Sequence, residues 1–442
     1  MSMGKQGGKT VVPKLRFPDF RNLGGWTTYS LSEISKFVTE RVGTTSCTPY
    51  TVTSGVGLVS QEEKLGRTIA GNSLKNYVVL QSNDFAYNKS ATKAFPQGFI
   101  VRYTGNERAA VPNSIFSCFR VDQRIILPAF MENLFLANLH GKWLRTRLAV
   151  GARAHGSLQV SDEDLMALPV PLPSGTESLT EQQKIADCLT SLDEVISAQG
   201  RKVETLKAHK RGLMQHLFPR EGETQPRFRF PNFRDAPDWE EFTIQKLIDQ
   251  NFIVGHLDGN HGELYPRSDE FVADGIPYIT ANDFKNGFVQ FEYCKRLPME
   301  RARRFRKGVA RDGDILFAHN ATVGPVAKLR IEDEFVILST TATYFRCDKN
   351  KLVNDFLLSA LTSPSFVAQY TRVMSQSTRN QVPITAQRKF SISIPRLLEQ
   401  QHIADCLSSL DAAIVAAFGQ LTALKTHKQG LMQQLFPSQG AG

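Results

Sequence analysis

The chain has 442 residues, 41% hydrophobic and 22% charged, which is enough for two or three domains with their own cores and excludes an intrinsically disordered protein. Lys and Arg outnumber Asp and Glu by 53 to 43, a formal charge of +10, and this basic balance favours an acidic partner such as nucleic acid. No apolar run approaches the roughly 18 residues of a membrane span, and the opening MSMGKQGGKTVVPKLRF lacks the apolar core of a signal peptide, so the expectation is a cytoplasmic protein without membrane contact. The cysteines (Cys47, Cys118, Cys188, Cys294, Cys347, Cys406) form no C-x-x-C pair and read as reduced thiols rather than zinc ligands or a disulfide framework.

In chain order, residues 15–21 (LRFPDFR) followed by Trp26 open a stretch of short runs broken by Gly, Pro, Asn and Asp. YVVLQ, GFIVRYTG and SIFSCFRV read as strands and LPAFMENLFLANL as a helix, which predicts an α+β domain over 1–180. Two of its loops carry small, polar and basic residues: Asn88, Lys89, Ser90 and Lys93 in one, Arg153 and His155 in the other, with Arg145 on the basic run between them. Arg and Lys neutralise phosphates, whereas Asn, Ser and Arg also hydrogen-bond base edges.

Residues 181–219 place Ile185, Leu189, Leu192, Ile196, Val203, Leu206, Leu213 and Leu217, with Gln199 and Lys210 in frame, at steps of four and three. That is a heptad seam, on a helix about 54 Å long at 1.5 Å per residue. Thr180 and Gln183 have the spacing of a capping box, and Phe218-Pro219 stops the helix.

A second β-rich domain follows over 220–398. It opens with FRFPNFR and Trp239, continues through GIPYIT, GDILFAHN, EFVILSTTATYFRC and FSISIP, and holds the helix-like VNDFLLSALTSPSFVAQY. The run RARRFRK (301–307) contributes Arg303, Arg304 and Arg306 as candidate phosphate contacts. His319, Asn320 and Thr322 on one loop, and Arg379, Asn380 and Gln381 on another, are candidate base readers. Residues 399–442 then repeat the seam from Ile403 to Leu435.

The chain is internally duplicated. Residues 181–219 and 399–437 agree at about 24 of 39 positions without a gap, and a thinner alignment sets 84–87 against 314–317, 119–122 against 345–348, and Pro171 against Pro395. The predicted fold class is α+β: two tandem mixed domains separated by two long helices that pair as an antiparallel coiled coil, a pseudo-two-fold internal repeat. Identities off the seam cluster at the helix ends, where Asp187, Lys207, His209, Gly212 and Met214 recur as Asp405, Lys425, His427, Gly430 and Met432. Antiparallel pairing would join the start of one helix to the finish of the other, giving two equivalent composite surfaces suited to two copies of one partner. An interior helix glycine costs about 1 kcal/mol against alanine, and a closely approaching partner accounts for Gly212 and Gly430.

Catalytic signatures are missing from the sequence: there is no N-P-P-Y or D-P-P-Y motif and no Walker A loop, and His209 and His427 lack metal-spaced companions. Neither a catalytic residue, a metal nor a cofactor of its own is expected. A self-contained methyltransferase or nuclease would be active alone, and a non-catalytic bipartite DNA-binding regulator would work without a methyltransferase.

The arrangement resembles the specificity subunit of a type I restriction-modification system. The resemblance rests on Trp26 and Leu31 (W-x-x-x-x-L), the GDIL strand at 313–316, the IP or LP strand before EQQxIAxxL, and the closing LKxxKxGLMQxLFP, and it covers nearly the whole chain. It implies two target-recognition domains reading a bipartite double-stranded DNA site, and helices that dock two methyltransferase subunits carrying S-adenosylmethionine. It also implies two restriction/translocase subunits where a nuclease is present. The first domain departs from the pattern, with Asn83-Asp84-Phe85-Ala86 in place of GDIL.

Overall fold

A computed structural model describes residues 10–53, 57–91, 95–145, 147, 158, 160–285, 287–376 and 379–437. It divides into two compact units, Met1–Gln199 with Gln420–Gly442, and Gly200–Gly419. The strands of the first unit are β1 (Thr27–Ser30), β2 (Ser35–Phe37), β3 (Thr48–Thr53), β4 (Gly57–Ser60), β5 (Val78–Leu80), β6 (Phe85–Asn88), β7 (Phe99–Arg102), β8 (Ala109–Val111), β9 (Phe116–Val121) and β10 (Pro169–Leu172). They form an antiparallel sheet β2-β9-β6-β7, a mixed sheet β4-β3-β8-β5 in which β3 and β8 run parallel, and the separate pair β1-β10.

The second unit builds the same topology from β11 (Glu240–Thr243), β12 (Ile253–Asp258), β13 (Ile276–Ile279), β14 (Phe284–Lys285), β15 (Phe288–Val289), β16 (Lys295–Leu297), β17 (Val309–Ala310), β18 (Ile315–Asn320), β19 (Thr322–Lys328), β20 (Val336–Leu338), β21 (Ala342–Cys347) and β22 (Ser391–Ile394). Its sheets are β12-β21-β18-β19, β16-β13-β20-β17 with β13 parallel to β20, and the pair β11-β22. One element is extra. The hairpin β14-β15 lies between β13 and β16, where the first unit joins β3 to β4 through residues 54–56. The β-rich run EFVILSTTATYFRC forms two strands, parted by a turn at Ser339 to Thr341.

The thin alignment of the two domains has a physical basis. Asp84, fully buried, accepts from Arg120 Nε at 2.6 Å and Nη2 at 2.8 Å, and from the Gln81 backbone N–H at 2.7 Å. Asp314 does the same with Arg346 at 2.9 and 2.7 Å and with the Arg311 N–H at 2.8 Å. A buried carboxylate is tolerable only when paired and hydrogen-bonded, so Asp and Arg persist together. Strand register corrects one correspondence: Thr27 faces Leu172 and Glu240 faces Ile394, so Pro173, not Pro171, stands where Pro395 stands.

The two long helices are Ser178–Leu217 and Leu397–Leu435. The first starts before Thr180, so the expected Thr180-Gln183 capping box lies inside the helix. Each helix contributes to both units. Ile185, Ala186 and Leu189 share the first core with Met432, Leu435 and Phe436, and Ile403, Ala404 and Leu407 share the second with Met214, Leu217 and Phe218. Within each unit the two helical segments run antiparallel and are pinned by an ion pair between repeated residues, Lys428 with Asp193 at 2.6 Å in the first and Lys210 with Asp411 at 2.6 Å in the second. Asp193 and Asp411, repeated at the same place in each helix, therefore serve helix pairing.

The repeated EQQ and opening segments meet at the helix starts. Glu181 accepts from Arg16 at 2.7 Å through both oxygens and from Trp26 Nε1 at 3.2 Å. Glu399 accepts from Arg229 at 2.8 and 2.7 Å and from Trp239 at 3.3 Å. All six side chains are buried. The amides of Gln182 and Gln400 accept from the backbone N–H of Leu127 and Val353, each at 2.9 Å. The Leu397–Leu435 helix contains an 18-residue window of mean hydropathy 1.4, long and apolar enough by length and composition to cross a membrane. That value is an average over alanine-rich helical turns and not an unbroken apolar run.

Candidate nucleic-acid interface

In the second unit, β18 and β19 form a hairpin whose tip is Asn320, Ala321 and Thr322. Ala321 has φ 65°, a left-handed conformation that disfavours a residue with a Cβ. It is held from outside the hairpin: its N–H donates to the Asn380 carbonyl at 3.1 Å, and Asn380 Nδ2 donates to its carbonyl at 2.6 Å. Asn320 bridges Gln381, and the Val382 N–H donates to the His319 carbonyl at 2.8 Å. The two loops expected separately are thus one surface, on which Thr322, Arg379 and Asn380 are exposed and Asn320 and Gln381 half-buried.

His319 does not belong to that surface. Both faces of β18 are covered as far as His319, which is 2% exposed, and burial lowers its pKa. It is a neutral core residue, which corrects its assignment as a base reader.

The basic run 301–307 splits by role. Arg301 is held by Glu270 at 2.5 Å and lies over the Phe305 ring at 4.8 Å, so it is structural. Arg303 and Arg304 are exposed and paired with Glu334 at 3.9 Å and Glu300 at 3.4 Å, contacts weak enough in water to yield to a phosphate. Arg306 and Lys307 are exposed, and no carboxylate among the described residues pairs with them.

In the first unit Asn88 ends β6, the place Asn320 holds in β18. Asn88 Oδ1 accepts from the Ser90 N–H at 2.9 Å, and Lys89 reaches Asp162 at 3.5 Å. Lys89 also receives the Leu158 N–H on its carbonyl at 2.7 Å, so the segment near 158 approaches this tip as residues 379–382 approach Ala321. Arg145 is exposed at the end of the helix Leu139–Arg145. Lys93, Arg153 and His155 lie outside the described residues.

Along the long helices, Asp187 and Asp405 are exposed and accept from Gln183 at 2.7 Å and Gln401 at 2.8 Å. His209, Lys425 and His427 are exposed, Lys207 is half-exposed and paired with Glu204 at 2.9 Å, and a Cβ added at Gly212 or Gly430 would meet nothing within 4 Å. Met214 and Met432, each 7% exposed, are core residues, which removes them from the partner surface: one turn past the exposed histidines the helix face rotates into its own domain. Among the described residues no group of three or more His, Cys, Asp or Glu is placed to hold a metal ion.

The profile of the type I restriction modification DNA specificity domain matches residues 238–423. The chain is 24% identical over 273 residues to the MjaVIII specificity subunit of Methanocaldococcus jannaschii, and 30% identical over 164 residues to the putative MjaX specificity subunit of the same organism. Residues 238–423 thus match a type I restriction modification DNA specificity domain, and the chain as a whole is similar to type I specificity subunits. The matches span 61% of this chain and 61% of the first relative, and 36% and 37% for the second. The type I S subunit from M. genitalium shares its fold at TM-score 0.55 and 14% identity, covering 97% of this chain and all of that one. A chain solved in a study of type I complex assembly and conformational transition does so at TM-score 0.55 and 17% identity, covering 94% and 98%. Sequence reasoning missed Asn282 and Thr341, which stand beside the β18-β19 tip. Asn282 lies on the segment without a counterpart in the first domain, so the internal alignment could not reveal it.

Proposed function

We propose that this chain is a type I specificity subunit, the non-catalytic DNA-reading component of a cytoplasmic type I methyltransferase/endonuclease complex. Each domain reads one half of a bipartite double-stranded site. The long helices pair as an antiparallel coiled coil that sets the spacer and docks two methyltransferase subunits, which bring S-adenosylmethionine; restriction/translocase subunits, up to two, join through that assembly. Asn88, Lys89 and Ser90 in one domain, and Asn320, Thr322, Arg379, Asn380 and Gln381 in the other, face bases. Arg145, Arg303, Arg304 and Arg306 meet phosphates.

The observation that carries this reading is one sheet topology built twice with unlike polar tips on β6 and β18. A common scaffold with different surface chemistry is what reading two different half-sites with one protein requires. The test is purification of the tagged full chain from its host, followed by native mass spectrometry and mapping of methylated DNA. Two methyltransferase subunits per chain and a bipartite methylated site are expected. A bipartite site bound with no methyltransferase present would instead identify a DNA-binding regulator.

A further inference from the structure

We infer that Asn282, with Thr322 as its positioning residue, recognises an adenine in the major groove and adds a contact to the second half-site that the hairpin tip alone does not make. The inference rests on the DNA-reading function proposed above. Asn282 is exposed at the centre of the short turn Ala281–Asp283, between β13 and the extra hairpin β14-β15.

Three sets of bonds fix this turn beside the hairpin tip. Asp283 closes it by accepting from the Thr280 N–H at 2.7 Å and hydroxyl at 2.8 Å. Thr341 anchors it, its hydroxyl accepting from the Ala281 N–H at 2.8 Å while its carbonyl accepts from the His319 N–H at 3.0 Å. The turn and the end of β18 are therefore tied to one residue. Lastly, the Thr322 hydroxyl lies 3.4 Å from Asn282 Oδ1, a long contact that draws the amide oxygen toward the hairpin tip. Among the described residues no protein acceptor takes the Nδ2 hydrogens.

A carboxamide with an available N–H and a remaining oxygen lone pair matches the adenine edge, where N7 accepts and the N6 amino group donates. The other pairs fit less well: guanine offers two acceptors there, and cytosine a single donor. Fixing the turn that carries Asn282 before DNA arrives limits the conformational entropy lost on binding. The first domain connects β3 to β4 through residues 54–56 and has no such segment, so the contact belongs to the second half-site alone.

The experiment uses the tagged full chain isolated with its natural co-subunits, as wild type, Asn282→Ala and Thr322→Val, to select from a randomised duplex library. Affinities are then measured on the selected site and on the same site carrying 7-deazaadenine, which lacks the N7 acceptor. Asn282→Ala should lose roughly 5- to 150-fold discrimination at one adenine-containing base pair of one half-site and become indifferent to 7-deazaadenine there. Thr322→Val should lose part of the discrimination at the same base pair. If the wild type selects a bipartite site and Asn282→Ala reads every position equally well, this inference falls and the DNA-reading function stands. If the wild type selects no sequence, both fall.

Discussion

Glu181 and Glu399 each hold an arginine and a tryptophan side chain that come from far away in sequence, and all of these groups are out of water. Removing one member of a buried ion pair leaves the other charge unsolvated, at a cost of about 3 to 5 kcal/mol. Glu181→Ala should therefore loosen the first unit and Glu399→Ala the second, read as faster amide hydrogen exchange confined to the respective residues. Unchanged exchange in both variants would mean that the triads do not hold the opening segments. The repeated Arg, Trp and Glu were visible in the sequence as an echo, but no spacing rule says that residues about 165 positions apart share a bond. The missing glycine of the first domain is also explained at this scale. Asn83 has φ 72° and Gly313 has φ 82°, and asparagine is the residue other than glycine that best tolerates the left-handed region.

At the scale of elements, the heptad pattern located both long helices, and the helices extend a few residues beyond it at their N-termini. The exposed glycines separate stability from docking. Gly212→Ala and Gly430→Ala meet open space and should stabilise each helix by about 1 kcal/mol, read as a higher midpoint in urea. Gly212→Trp and Gly430→Trp should leave the fold intact while weakening methyltransferase retention at the surface each occupies. A chain with only Gly430→Trp should keep one methyltransferase in native mass spectrometry. Retention of two would show that these glycines lie off the docking surface. The methionines beside them could not be assigned from the pattern, because a residue on the flank of a seam reads the same whether its own domain or a partner covers it.

For the whole molecule, the proposed coiled coil acts as a ruler between half-sites. Inserting seven residues between Gly200 and Thr205, and seven between Phe418 and Ala423, keeps the heptad frame and adds about 10.5 Å of helix. That length is roughly 3 base pairs, and about 100° of additional DNA twist accompanies it, so activity should fall. Methylation that survives should map to the same half-sites with a longer spacer. A spacer of unchanged length would overturn the ruler.

The sequence by itself determined the duplication, the long helices, the mixed helix-and-sheet class and the resemblance to type I specificity subunits, because these depend on periodicity and on residues repeated in order along the chain. Tertiary structure decided which polar residues share a surface. It joined the tip of β18 to residues 379–382 and to the turn at Asn282, buried His319, and placed Met214 and Met432 in the cores. The physical reason is that a strand's side-chain period of two and a helix's of 3.6 fix which neighbours share a face. They do not fix which face another segment comes to cover. That is settled by long-range hydrogen bonds and packing.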